Sequence, residues 1–169
     1  MTLLADRFST IFRDEHRAVR DALLELLEAF EQRSCEQAMD RLLYIAALTG
    51  PHFRYEEETM YPSLVPTFGT DYVRRLYVDH DGAIASAKRL VALAGQDELS
   101  DADVTEAVAL VRTILPHVSD CDGLSLMVER LSDADVQSIL DARDRCNEAG
   151  IDLLSWDEKV RKEPSLPVA

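Results

Sequence analysis

His52 and Glu56 are the pair in this chain best placed to do chemistry together. Both lie in the stretch Pro51-His52-Phe53-Arg54-Tyr55-Glu56-Glu57-Glu58-Thr59-Met60-Tyr61-Pro62. Residues four apart share one face of a helix, so an imidazole nitrogen stands beside a carboxylate. That donor pair inside a helical bundle suits iron, manganese or zinc. The chain has four histidines, and the other three, His16, His80 and His117, each fall in a different helical stretch. A lone histidine on an apolar face is usually a satisfied core residue. Four unpaired imidazoles in one core would be costly to bury, and a shared metal satisfies them all.

Apolar spacings of three and four mark the helices that would carry these residues. The first runs from Leu3 to about Gln32, with Phe8, Phe12, His16, Val19, Leu23, Leu26 and Phe30 on its stripe. Ser34-Cys35-Glu36-Gln37 is a capping-box pattern that opens the second. Its stripe is Ala38, Leu42, Ile45, Thr49, His52, Glu56 and Met60. Pro51 removes the bond to the carbonyl of Ala47, which predicts a kink just before His52. Pro62 and Pro66 close the element. A third helix, from Gly69-Thr70-Asp71 to about Ala94, carries His80 on its stripe. Ser100 caps a fourth, with Ile114, His117, Cys121, Leu124 and Val128 in line. Pro116 precedes His117 as Pro51 precedes His52. The letters Leu99 to Val104 recur from Leu131 to Val136 as a second cap signal, opening a fifth helix that Gly150 stops. A short helix from Asp152 to Lys162 follows.

The spacing therefore predicts an all-α protein. Residues 1–131 form an antiparallel up-down four-helix bundle, 132–163 a C-terminal helical extension packed on it, and 164–169 a flexible tail. At 169 residues the chain is one domain, with enough length for a real core. Its longest apolar run, about Tyr44 to Leu48, is far short of the ~20 residues of a membrane span. Met1 to Arg7 lacks a basic-then-apolar signal layout, and the expected location is cytoplasmic. Three cysteines, with no CxxC, fit a reducing compartment and argue against a thiolate zinc site. A net charge of −14 repels phosphate backbones and anionic lipid surfaces, which excludes nucleic acid and membrane as expected partners.

The chain resembles the hemerythrin-like, or HHE cation-binding, domains over about residues 8 to 131. The sharpest likeness is His52-Phe53-Arg54-Tyr55-Glu56, then Glu57, Glu58 and Met60-Tyr61-Pro62. His16 fits the family's first histidine, His52 with Glu56 its HxxxE, and His117 with Asp122 its HxxxxD. The resemblance implies a four-helix bundle with a non-haem di-iron centre bridged by Glu56 and Asp122. There are two departures. Where oxygen-carrying hemerythrins have two histidines on the third helix, this chain has His80 alone, since Leu76 and Ile84 lie four residues away. In the version with one histidine there, the last acid sits four after the fourth histidine, and that position is Cys121. Asp122 is the first choice for the second bridge, Asp120 the second, and Cys121 stays open as a thiolate ligand.

The expected metal ligands are thus His16, His52, Glu56, His80, His117 and Asp122, with Cys121 as the alternative, and the expected cofactor is two iron ions, with manganese or zinc left open. Each ion gains about four protein ligands, leaving about two positions on a six-coordinate iron. That suits a protein that binds or reacts with O2, peroxide or NO. The alternatives are an iron- or oxygen-responsive sensor or binding module, and an enzyme of iron-centre repair or stress. The expected partner is a small diatomic or peroxide ligand, and a homodimer is left open. Tyr55, Tyr61 and Tyr77 read as aromatics at the core edge. Glu57 and Glu58 read as a solvated face, and Asp79 and Asp81 as weak candidates to hydrogen-bond the histidines.

Overall fold

The computed structural model describes residues 3–164, together with every side chain in that range except that of Cys121. The expected tail from Ser165 onward lies outside the described residues. Those described contain helices and no strand. The helices are α1 (Leu4–Glu31), α2 (Cys35–Tyr55), a π-helical turn (Glu56–Met60), α3 (Tyr61–Phe68), α4 (Thr70–Ala94), α5 (Asp101–Asp122), α6 (Leu124–Val128), α7 (Asp133–Ala149) and α8 (Leu153–Lys159). None is long and apolar enough to cross a membrane.

Local chemistry accounts for most boundaries. The Ser34 hydroxyl accepts from the backbone N–H of Gln37 and starts α2. Ser100 and Asp103 cap α5 reciprocally: the Ser100 hydroxyl accepts from Asp103 N–H, and the Asp103 carboxylate accepts from Ser100 N–H. Ser132 does the same service for Asp135 N–H at α7. Gly150 ends α7 at φ 57°, a left-handed conformation that costs glycine little.

Two elements differ from expectation. α2 continues as an α-helix through Pro51. The irregularity comes four residues after His52, where the helix widens into the π turn before resuming as α3. The fourth long helix ends at Asp122 and restarts at Leu124, with Gly123 between.

Helix α1 packs on α2 and α5, α2 on α4, and α4 on α5. Helix α7 packs on α1, α2 and the π turn, and α8 on α2 and α4. The core has two main apolar clusters. One gathers Phe8, Phe12, Tyr61, Val73, Leu124 and Ile139, and the other Leu23, Leu26, Phe30, Leu42, Leu90 and Val111. On three long helices the histidine lies between residues of the two clusters: Phe12 and Val19 around His16, Ile45 and Tyr55 around His52, Tyr77 and Leu90 around His80; His117 of α5 lies between Val111 of the same helix and Leu124 of α6. A single polar layer is thus sandwiched between two apolar ones.

Candidate metal centre

Glu56 is the middle of this layer. It begins the π turn, is 1% exposed, and reaches histidines of two helices. His80 Nε2 lies 3.1 Å from its Oε2 and His52 Nε2 lies 3.4 Å from its Oε1. His16 meets His52 edge-on, with ring centroids 4.7 Å apart, and His117 meets His80 likewise at 5.4 Å. One donor atom each from His16, His52 and Glu56 falls within 4.8 Å of the others, a spacing that can hold a metal ion.

The outer nitrogens fix the tautomers. His16 Nδ1 is 2.8 Å from the carbonyl oxygen of Phe12, which can only accept, so Nδ1 carries the hydrogen. His52 Nδ1 donates to Glu15 at 2.8 Å, and His80 Nδ1 to Glu57 at 2.9 Å. In His52 and His80 this leaves Nε2 turned toward Glu56, the arrangement by which carboxylate partners orient metal-binding imidazoles.

Neighbouring side chains set the charge in the layer. For Glu56 burial favours the neutral form, but the cationic His52 beside it and the contact with His80 outweigh it, and its acidity rises well above that of a free carboxyl. Burial likewise opposes charge on His52, yet Glu56 and the bond to Glu15 push its pKa up to about 10. His80 is raised against the same opposition by its bonds to Glu56 and Glu57. His16 and His117 go the other way. Burial and a cationic neighbour, His52 for the first and His80 for the second, depress both, His117 to about 4.

Glu57 is not on a solvated face. It is 6% exposed, accepts from His80, and is gripped by Arg161. The π turn is the reason: its i→i+5 bonding inserts one residue per turn and brings two consecutive glutamates inward. Glu58 does stay outside and pairs with Arg54. His80 takes Glu57 as its carboxylate partner, while Asp81 pairs with Arg161 at 2.7 Å. The tyrosines lie inside the core, each 5% exposed or less. The Tyr55 hydroxyl donates to Glu15 at 2.9 Å, and the Tyr61 hydroxyl is 2.9 Å from His80 Nε2.

Asp122 closes α5 on the His16 side. Together with His16 and Arg13 it lines a cleft of about 180 Å³. Its Oδ2 is 3.8 Å from Arg13 Nε, while Oδ1 is buried. Among the described residues, Asp122 Oδ1 and Glu56 Oε1 are two of three buried side-chain polar atoms without a hydrogen-bond partner. Buried acceptors are rarely left so, and a cation beside either would satisfy it; Asp122, His80 and His117 lie outside the group of donors within 4.8 Å of one another. The Cys121 side chain lies outside the described residues.

Residues that spacing did not bring forward complete the site: Glu15 and Glu57 behind His52 and His80, and Arg143 and Arg161 behind the glutamates. Glu15 stands 37, 40 and 128 residues from its partners His52, Tyr55 and Arg143, beyond any helical period. Pro62, which cannot continue α bonding, was the available hint that the helix changes gauge near Glu57.

The model of the hemerythrin HHE cation binding domain matches residues 7–144, and the chain belongs to that family. The match runs past residue 131 into α7. No curated protein and no solved structure matches the chain. Family and site agree on the binding of a metal cation by a histidine and glutamate cluster within an all-helical fold.

Proposed function

We propose that the chain is a non-haem di-iron protein that binds or reacts with O2, peroxide or NO. The observation that carries this reading is the polar layer itself: His52 and His80 anchored at Nδ1 and turned inward at Nε2, around a buried glutamate with one oxygen that accepts no hydrogen bond. The helical order supports an antiparallel up-down four-helix bundle of α1, α2, α4 and α5. Each of α1, α2 and α4 passes from one apolar cluster to the other in the direction opposite to the helix before it, and α5 does so together with its continuation α6.

In this reading His16, His52, His80 and His117, with Glu56 and Asp122 as the carboxylates, would hold two ions. Bound there, the iron pair would supply a change of oxidation state and a place for a small ligand to bind. The rest is the protein's own work. Phe12 and Phe53 stack on His52 and His80, with centroids 5.3 and 3.7 Å away, and keep water from the imidazoles. The Tyr61 hydroxyl, beside His80 Nε2, is a hydrogen-bond donor already inside the layer. No fifth histidine stands near His80, because Leu76 and Ile84 occupy the positions one turn away. Positions left open for this reason favour reaction over simple carriage.

A sensor reading has one observation in its favour, the link from the layer to α7 and the segment after α8 through Arg143 and Arg161. Metal analysis and optical spectra of protein from iron-supplemented cells decide the main proposal. Two irons per chain with iron-to-oxygen charge-transfer bands are expected, and no more than one tightly bound ion under iron-replete conditions overturns it. A large change in protease resistance with iron occupancy, and no turnover of peroxide or NO, selects the sensor.

A further inference from the structure

We propose that Arg143 and Arg161, delivered by the C-terminal helical segment, are positioning residues of the metal centre, each fixing a glutamate that orients one histidine. The proposal rests on the reading of the polar layer as a metal site.

The same order of groups occurs twice. Arg143 Nε donates to Glu15 Oε1 at 2.5 Å, and Glu15 Oε2 accepts from His52 Nδ1 at 2.8 Å. Arg161 donates from Nε and Nη2 to the two oxygens of Glu57, at 3.0 and 2.8 Å, and Glu57 Oε1 accepts from His80 Nδ1 at 2.9 Å. Glu15, Glu56 and Glu57 crowd three carboxylates around one layer. A guanidinium cannot lose its charge and presents a rigid fork to a carboxylate. It fixes each outer glutamate in place, which holds Nδ1–H outward and Nε2 inward.

Arg161 is itself firmly held. The N–H of Arg161 donates to the carbonyl of Trp156 at 2.8 Å, and its guanidinium lies 5.5 Å from the centre of the Trp156 ring. Trp156 is 1% exposed and buried with Phe53, the ring that stacks on His80. Upstream, the α7–α8 elbow lies against Gly50, where a Cβ would stand 2.2 Å from the carbonyl oxygen of Ile151. The segment is built against α2 on the turns that present His52 and Glu56.

A rival account gives the arginines only the task of fastening the C-terminal helices. Arg143→Met, Arg161→Met and the milder Arg143→Lys and Arg161→Lys separate the two. Three readings are taken: melting of the metal-free protein, Fe(II) affinity by anaerobic chelator competition, and the histidine ring N–H resonances of the Zn(II)-loaded protein. Each methionine variant is expected to weaken metal binding by about 10–100-fold. Arg143→Met should move the ring signal of His52 alone, and Arg161→Met that of His80 alone. Lysine should recover most of the loss at 143, where one nitrogen serves Glu15, and less at 161, where the fork is used. Wild-type metal affinity and unmoved ring signals in all four variants, whatever the metal-free melting does, overturn the proposal. Wild-type protein that binds neither ion overturns the metal reading and this proposal with it, so the two failures are distinct.

Discussion

The hydroxyl of Tyr77 donates to the main-chain carbonyl of Glu57 at 2.8 Å. Within the π turn Tyr61 N–H reaches back to Glu56 C=O, so the next donor in line for Glu57 C=O would be residue 62. That residue is proline, which has none. Tyr77 from α4 takes its place and secures the turn that brings Glu56 and Glu57 inward. Tyr77→Phe keeps the ring and leaves the carbonyl buried without its partner, a cost of about 1–3 kcal/mol. The melting temperature of the metal-free protein is expected to fall by about 2–4 °C for each of those kcal/mol. An unchanged melting curve would show that the turn holds without it.

Metal removal should also lower the melting temperature. A cation held by the folded donors and not by the unfolded chain stabilises the fold by mass action. Calorimetry before and after complete chelation measures this. Coincident curves would mean that the histidines share no core metal.

The second bridge can be tested by two substitutions. Asp122 brings a buried oxygen without a partner to the cleft beside His16. Asp122→Ala is expected to cost one ion or the charge-transfer bands, while Cys121→Ser keeps both ions. The reverse result assigns the position to a nitrogen, oxygen and sulfur donor set.

Loading should expel protons. His52 holds its proton up to about pH 10 in the metal-free fold, and a coordinating imidazole nitrogen must give it up. Titrating metal into weakly buffered protein at neutral pH should therefore acidify the solution, and no acidification would remove His52 from the ligand set. The stability signs follow from the same shifts. The folded pKa of His52 is raised, so its share of stability is full below 6.5 and lost as pH rises through about 10. His117 is depressed to about 4, so its share is full above 6.5 and lost as pH falls toward 4. Melting of the metal-free protein across this range is expected to decline at both ends.

Gly50→Ala tests the elbow. Alanine favours a helix interior by about 1 kcal/mol over glycine. Here its Cβ would stand 2.2 Å from Ile151 O and 2.6 Å from both Asp152 C and Leu153 N, all backbone that cannot rotate aside. A net loss of stability is expected, together with weaker metal binding as the Arg161 segment is pushed off. A variant as stable as the parent would show that the elbow yields freely.

Helical periodicity was enough to find the four histidines and Glu56, because each lies on the apolar stripe of its own helix. The caps at Ser34 and Ser132 and the stop at Gly150 were equally local signals. Glu57 was misjudged because a constant turn angle was carried across the one turn that departs from it. Glu15, Arg143 and Arg161 could not be seen this way. Their roles come from contacts 37 to 128 residues apart, and off-stripe charge gives no sign of its partner. The same holds for Gly50, whose need for bare backbone is set by residues a hundred positions downstream.

The π turn amounts to a single extra residue carried within an otherwise regular α rod, and it sets the phase of everything after it. Deleting Thr59 would remove that extra residue and carry the α-helical phase of α2 on toward Pro62. That rod would rotate Glu57 away from His80 and displace Tyr61 from the layer. The more regular protein would be the one without a metal centre.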